Sequence, residues 1–383
     1  MTELTEYAVE DVMTLVRRPI RPAVGETYRE IGLRSFGKGI FHKDPVTAEA
    51  IAEKRVFKVQ PGDLIFSNIF AWEGAVAIAS EREKGMIGSH RFMTHEVNAE
   101  VADARYLLHY FHGGPGLNVI RSASPGSAGR NRTLGTRAFA AKRVLLPSLS
   151  EQRRISEKLD AALEKCLTVS TLRSHTSSLL VSLQESMVHE ALQRSTETVR
   201  MGDIVTLTRT EIDVCPEKTY RPIGMRGFGR GVIRYEPTPG SRLGKLRFYK
   251  FPNSALVLSN IKAWEGAIGV TSGNEEEFIA SNRFLFYTPK REGVNISYLR
   301  HYLLSRKGLN QISACSPGAA DRNRTLGVKR FENIRFDLPP RDTQDRVTST
   351  LDGLNKRLSA AHSAPTLQAL PPALLDAAFS GRL

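Results

Sequence analysis

Two nine-residue strings, SNIFAWEGA from Ser67 and SNIKAWEGA from Ser259, differ at one position and hold both tryptophans of the chain, Trp72 and Trp264. They start 192 residues apart in a chain of 383. Other matches keep that spacing without a gap. YREIGLRSFGKGI at Tyr28 answers YRPIGMRGFGRGV at Tyr220, and SHRF at Ser89 answers SNRF at Ser281. SPG at Ser124 recurs at Ser316, RNRTLG at Arg130 recurs at Arg322, and LP at Leu146 recurs at Leu338. A chain this regular must build one unit twice in tandem. Two copies are too few for a solenoid, which needs at least about three repeats to stabilise itself.

Each copy divides in two. The first part mixes β-type runs such as DLIFSNIF, ALVLSNIKAW and NRFLFYT with Gly/Pro turns and short helical stretches such as ARYLLHYFH. That mixture predicts an α+β globular domain. The second part is helical and starts just after LP, with Ser150 and Asp342 as candidate N-caps. Ile155, Leu159, Ala162, Cys166 and Val169 step by four and three, and Val347, Leu351, Leu354, Leu358 and Ala361 repeat the steps. This is the seam of a coiled coil, or of an amphipathic helix packed on its own domain; matching seams favour the two helices pairing. The first helix is expected to reach Leu192, roughly 60 Å at 1.5 Å per residue. Pro365 and Pro371–Pro372 predict a break in the second arm near 363–372. The resulting divisions are 1–148, 149–195, 196–340 and 341–383.

Composition narrows the function. The net charge is +14, and the surplus is clustered. Arg121, Arg130, Arg132, Arg137, Lys142 and Arg143 have no acid between them, and residues 218–250 hold nine basic side chains against Glu236. Clusters in both halves point to a polyanion such as nucleic acid. No apolar run is long enough to span a membrane. The N-terminus lacks a signal-peptide layout, and three scattered cysteines argue against a disulfide framework or zinc knuckle. A reduced, cytoplasmic protein is expected.

The order of globular domain, helix, second domain and second helix resembles the specificity subunits of type I restriction-modification systems. LLPSLSEQRRISEKLDAAL looks like the start of that family's central spacer helix, LLDAAFSGRL is similar to its closing segment, and RNRTLG…F…LP resembles the end of its target recognition domains. The resemblance implies two tandem α+β target recognition domains, each followed by a long helix, with the helices pairing as an antiparallel coiled-coil spacer. Ile155, Leu159, Ala162, Cys166, Val347, Leu351, Leu354 and Leu358 would form that pairing. Each domain would read half of a split double-stranded DNA site. Two separate methyltransferase subunits would bind S-adenosylmethionine, and restriction subunits, where present, would bring ATP and Mg. The chain itself would hold no cofactor or metal and catalyse nothing.

Missing motifs agree. There is no phosphate-binding GxxxxGK[ST] loop, and neither Pro-Pro pair has the context of a base-stacking methyltransferase loop. FGKG at Phe36 and FGRG at Phe228 suggest a cofactor turn only faintly. His109 and His112 have metal-like spacing, but only His301 recurs, so a solvated helix face is expected.

Candidate DNA contacts come from comparing the copies. Shared strings should be scaffold or meet features common to both half-sites; divergent ones should meet bases. Trp72 and Trp264 either pack the core, with glycine permitting a tight bend, or reach DNA with Glu73 and Glu265, since a carboxylate can accept from cytosine N4. Arg130, Arg132, Arg322 and Arg324 suit sequence-independent phosphate contact, the alternative being a structural loop salt-bridged to the helix. Arg91 and Arg283 lie in the SHRF and SNRF strings. The strongest divergence separates 41–58 from 233–250, placing base readout at Lys43, Arg234, Arg242, Lys245 and Arg247, beside Arg34, Lys38, Arg226 and Arg230. A pseudo-two-fold arrangement of similar domains would make the target an interrupted, imperfect palindrome. The competing reading is a non-catalytic adaptor of a defence or RNA-handling complex that binds nucleic acid without reading its sequence.

Overall fold

A computed structural model of the chain describes residues 3–382 apart from 52–53, 127–131, 230, 245, 274, 276, 319–323 and 363–366. The chain forms two compact units, Met1–Leu172 with Pro365–Leu383, and Arg173–Ala364.

The first unit is built on a four-stranded antiparallel sheet in the order Val76–Ile78, Leu64–Ser67, Phe92–Val97, Met13–Val16. Leu64–Ser67 reads Leu-Ile-Phe-Ser with every residue buried, because both faces of this inner strand are covered. Successive side chains point to opposite faces of a strand. Leu64 and Phe66 therefore enter one core with Leu107, Phe111 and Phe139, while Ile65 enters another with Ile31, Val59 and Ala77. Each large side chain so buried contributes about 1.5–3 kcal/mol relative to exposure. Helix Ala104–His112 closes the first core, with Asp103 capping it by accepting the Tyr106 N–H at 2.9 Å. The chain then turns sharply into helix Gly114–Ser122. A Cβ on Gly116 would lie 2.3 Å from the Tyr110 carbonyl oxygen, so only glycine fits the corner.

The second unit repeats this plan. Its sheet runs Ile268–Val270, Leu256–Ser259, Phe284–Pro289, Val205–Leu207. Leu256 and Leu258 enter one core and Val257 the other. Helices Ile296–Leu304 and Arg306–Ala314 make the same corner at Gly308. The units differ in the outer layer. In the first, Ile87–Ser89, Val56–Lys58 and Pro19–Ile20 form a small sheet beside separate two-stranded pairs. In the second, Thr210–Ile212, Phe248–Lys250, Phe278–Ser281, Thr219–Met225 and Val232–Arg234 join in one sheet. The segments that diverge most in sequence thus build the layer that diverges most in structure.

Strand Thr5–Ala8 pairs with Arg143–Leu146, and Glu197–Arg200 pairs with Arg335–Leu338, in the same register. Each pair ties the start of a copy to its end just before a helix departs. Helix Leu149–Gln193 has 45 residues, about 67 Å. Its cap is Ser148, whose Oγ accepts the Glu151 N–H at 3.4 Å, so the start lies two residues before the expected Ser150 cap. Helix Arg341–His362 likewise begins one residue before Asp342. Ile155 and Leu159 belong to the core of the first unit, Val347 and Leu351 to that of the second. At these four positions the seam reading gives way to the ordinary amphipathic one: the helix starts are walls of their own domains. Ala162, Cys166, Leu354 and Leu358 are half-buried.

The far end of the long helix packs on the second unit through Val188 and Ala191. The second arm stops at His362, and helix Leu370–Phe379 follows with Pro371 and Pro372 in its first turn, where proline's missing N–H has no partner to lose. The proline break is therefore real, while Pro365 lies outside the described residues. The tail does not continue the second arm. Phe379 packs edge-on against Tyr106 and Tyr110 at 5.6 and 5.5 Å, making the tail part of the first unit.

Candidate nucleic-acid interface

The repeated strings converge in each unit. AWE forms one turn of 3-10 helix, Ala71–Glu73 or Ala263–Glu265, anchored by a fully buried alanine. Gly74 and Gly266 close the turn at φ 79° and 77°, a conformation that favours glycine. The indole N–H of Trp72 donates to the Ile69 carbonyl at 3.1 Å, and that of Trp264 to Ile261 at 3.2 Å. Both rings are half-buried against the core.

An arginine of the RNRTLG string covers each indole. The Arg132 guanidinium carbon is 5.2 Å from the Trp72 ring and that of Arg324 is 4.8 Å from Trp264, within cation–π range. Arg132 Nε donates to the Gly126 carbonyl at 3.1 Å. Arg324 Nε donates to the Ser316 carbonyl at 3.2 Å, and Nη2 to Ser313 Oγ at 2.9 Å. Arg121 Nε donates to the Trp72 carbonyl at 3.3 Å.

Asn68 and Asn260 bind the strings together. The Asn68 N–H donates to the Arg91 carbonyl at 2.8 Å, and its carbonyl accepts the Leu134 N–H at 2.7 Å. Asn260 does the same with Arg283 at 2.6 Å and Leu326 at 2.8 Å. The glycine-rich loop docks alongside: Phe36 N–H donates to the Glu73 carbonyl at 2.9 Å and Gly37 N–H to Gly74 at 3.1 Å. Ser35 Oγ donates to Glu73 Oε2 at 2.7 Å, so this carboxylate is engaged. One face of the first unit thus gathers Trp72, Arg91, Arg121, Arg132 and the loop bearing Arg34 and Lys38. The second gathers Trp264, Arg283, Arg324 and the loop bearing Arg226.

Other sequence candidates sit in the outer layer. Lys43 is paired with Glu30 at 2.8 Å. Arg34 lies 5.0 Å over Phe41, and Arg234 lies 5.4 Å over Phe278. Arg247 approaches Glu211 at 3.9 Å, an exposed pair worth little energetically. Arg242 is exposed at the end of a 3-10 turn that starts at buried Gly240. Arg130, Arg230, Lys245 and Arg322 lie outside the described residues.

Three features escaped sequence reading. His109 and His301 are not on a solvated face but are buried, their Nε2 atoms 2.7 and 2.9 Å from Asp160 and Asp352 on the following helix. His112 donates from Nε2 to the Val76 carbonyl at 2.8 Å, and burial lowers its pKa. Gln152 and Gln344, fully buried in the first turns of the two helices, clamp loops of their own units. Phe36 and Phe228 are exposed at the loop tips. The 192-residue spacing marks each as a repeated Gln, His–Asp or Phe, but only contacts show what they do. Among the described residues no group of three or more His, Cys, Asp or Glu side chains is placed to hold a metal, and no helix is long and apolar enough to cross a membrane.

Residues 194–365 match the family described as type I restriction modification DNA specificity domain. Comparison with curated protein sequences finds no match. Among solved structures, the chain is similar to the HsdS subunit from Thermoanaerobacter tengcongensis, at 19% identity and TM-score 0.52, over 99% of this chain and 97% of that one. It resembles a chain from a study of complex assembly and conformational transition of the type I R-M system, at 19% identity and TM-score 0.62, over the full length of both. It also resembles the type I restriction-modification S subunit from M. genitalium, at 13% identity and TM-score 0.55, over 98% of this chain and 96% of that one. Residues 194–365 thus match a type I restriction modification DNA specificity domain, the first half repeats the strings of the second at a fixed spacing, and the whole chain is similar in fold to the S subunits named above.

Proposed function

We propose that the chain is the DNA-reading subunit of a type I restriction-modification complex, each unit reading half of a split site, with the long helices setting the gap. The observation that carries this reading is the paired Trp–Arg face, built twice from the same strings at Asn68 and Asn260. An arginine stacked on an indole is pre-oriented for a phosphate. A shared Trp–Arg face beside a different outer layer suits two half-sites that share backbone geometry and differ in bases. Lys43, Arg234, Arg242 and Arg247 lie in that variable layer and are the candidates for base contact.

Catalysis belongs to partners in this reading: two methyltransferase subunits carrying S-adenosylmethionine, and restriction subunits using ATP and Mg in a cleaving complex. Exposed Leu167, Leu179 and Val181 on the long helix give such partners apolar area to cover. The relatedness of the two units predicts half-sites of similar sequence on opposite strands.

Selection of bound duplexes from a random pool at increasing salt tests the reading. Specific readout leaves one split sequence enriched at salt that abolishes general binding. Binding that fades alike for all sequences would make the chain a sequence-blind adaptor.

A further inference from the structure

Phe36 and Phe228 occupy equivalent loop tips, in RSFGKG and RGFGRG. Their φ angles are 61° and 60°, in the left-handed region that bulky side chains rarely enter. Among the described residues Ser254 is the only other non-glycine found there. Each tip is held by the same two backbone bonds from the AWEG turn: Phe228 N–H donates to the Glu265 carbonyl at 2.5 Å and Gly229 N–H to Gly266 at 2.9 Å, as Phe36 and Gly37 do in the first unit. The side chains are nonetheless 72% and 73% exposed.

A ring left this exposed adds little to either core, and glycine would take the same backbone conformation more easily. Strain of this kind persists where the surroundings over-determine it, and it clusters at functional sites. The surroundings here are cationic. Arg34 and Lys38 flank Phe36, Arg226 precedes Phe228, and the Arg132–Trp72 and Arg324–Trp264 pairs lie on the turns that hold the tips. Of the nearby carboxylates, Glu73 is bonded to Ser35, and Glu265 lies 3.6 Å from Lys262. An apolar tip in a cationic collar fits a duplex: phosphates meet the collar and a base step meets the ring.

We propose that Phe36 and Phe228 are stacking wedges, each ring entering the DNA at one base step of its half-site and stacking on the base it uncovers. The proposal rests on the DNA-reading function above and deepens it. Every base offers a π-face, so the wedge sets register rather than sequence, which accounts for its identity in both units.

The test uses the full-length chain and its Phe36→Gly, Phe228→Gly and doubly substituted variants. Glycine keeps the positive φ without strain, so the variants should melt at or above the wild-type temperature. The probes are duplexes of the selected sequence with a fluorescent purine analogue moved along each half-site. Wild type should brighten the analogue at one step per half-site. Each single variant should lose the signal in its own half-site and bind roughly 5- to 150-fold more weakly. Variants that bind and brighten the probe like wild type would overturn the wedge while leaving DNA reading intact. Variants that lose only methyltransferase-subunit binding would overturn it too, assigning the ring to a protein partner. A wild-type chain with no preferred sequence would sink the DNA-reading function first, and the wedge with it.

Discussion

The guanidinium carbon of Arg324 lies 4.8 Å from the centre of the Trp264 ring, and Arg132 repeats the relationship over Trp72 at 5.2 Å. With Nε bonded to a backbone carbonyl, each arginine is fixed before any ligand arrives. A phosphate contact made this way carries no sequence information. Replacing Arg324 by Ala should weaken binding to all sequences alike and reduce the slope of log affinity against log salt by about 1. Lys at this position should restore little, because it lacks the planar fork. Salt titration of both variants against selected and random duplexes checks this.

Gln152 and Gln344 should matter for stability rather than binding. Gln152 Oε1 accepts the Asp103 N–H at 3.0 Å, while Nε2 donates to the Val101 and Pro147 carbonyls at 3.0 and 2.9 Å. Gln344 repeats this with Asn295, Gly293 and Pro339. A Gln152→Leu substitution strands three backbone groups, one in buried and two in part-buried surroundings. The expected cost is about 3 kcal/mol, since each unsatisfied buried group costs about 1–3 kcal/mol. Urea denaturation followed by far-ultraviolet circular dichroism measures it, and a loss under 1 kcal/mol on the order of a surface change would contradict the clamp.

At the helix corners, alanine for Gly116 or Gly308 would place a methyl 2.3 or 2.2 Å from a carbonyl oxygen. Backbone cannot yield as a side-chain tip can, so either change should cost upwards of about 3 kcal/mol. Gly25, with nothing within 4 Å of an added Cβ but φ at +85°, is the control: its alanine variant should lose only about 1 kcal/mol, from backbone strain.

Buried His95 is expected to make the first unit acid-sensitive. It is 4% exposed and meets Phe66 edge-on at 5.3 Å. Burial pushes its pKa down to about 4, backbone hydrogen bonds oppose the shift, and Arg17 adds to it. The unfolded chain therefore binds the proton first. The neutral ring's contribution is complete above pH 6.5 and is lost as pH falls toward 4, on the order of 3 kcal/mol. The equivalent residue is the buried Tyr287. His95→Tyr should flatten the pH dependence of first-unit melting over this window, whereas an unchanged dependence would place the sensitivity elsewhere.

The parts of this fold that were legible in sequence are those governed by local spacing. The repeat made Trp72 and Trp264 equivalent, Gly74 and Gly266 marked the bend, and the prolines marked a break beyond the second arm, with Pro371–Pro372 opening a separate helix. Long-range contacts left no such trace. Phe379 meets Tyr106 across most of the chain, so the tail's place in the first unit was unreadable. The heptad-like steps at Ile155 and Leu159 were seen correctly, but a four–three stripe looks the same whether it faces another helix or its own domain. His109 read as surface because it is polar, Gln152 carried no signal of its own within the helix start, and Phe36 gave no sign of exposure because it is apolar; the tertiary setting decides each.

The most direct test of the central claim is to express the chain with the methyltransferase subunit proposed as its partner and map modified bases across the host DNA by single-molecule sequencing. A split motif with a fixed gap and related halves on opposite strands, lost when this gene is deleted, is the predicted result. Modification that stays the same without the gene would contradict the reading function, and a gene-dependent motif with unrelated halves would contradict the predicted two-fold relation of its half-sites.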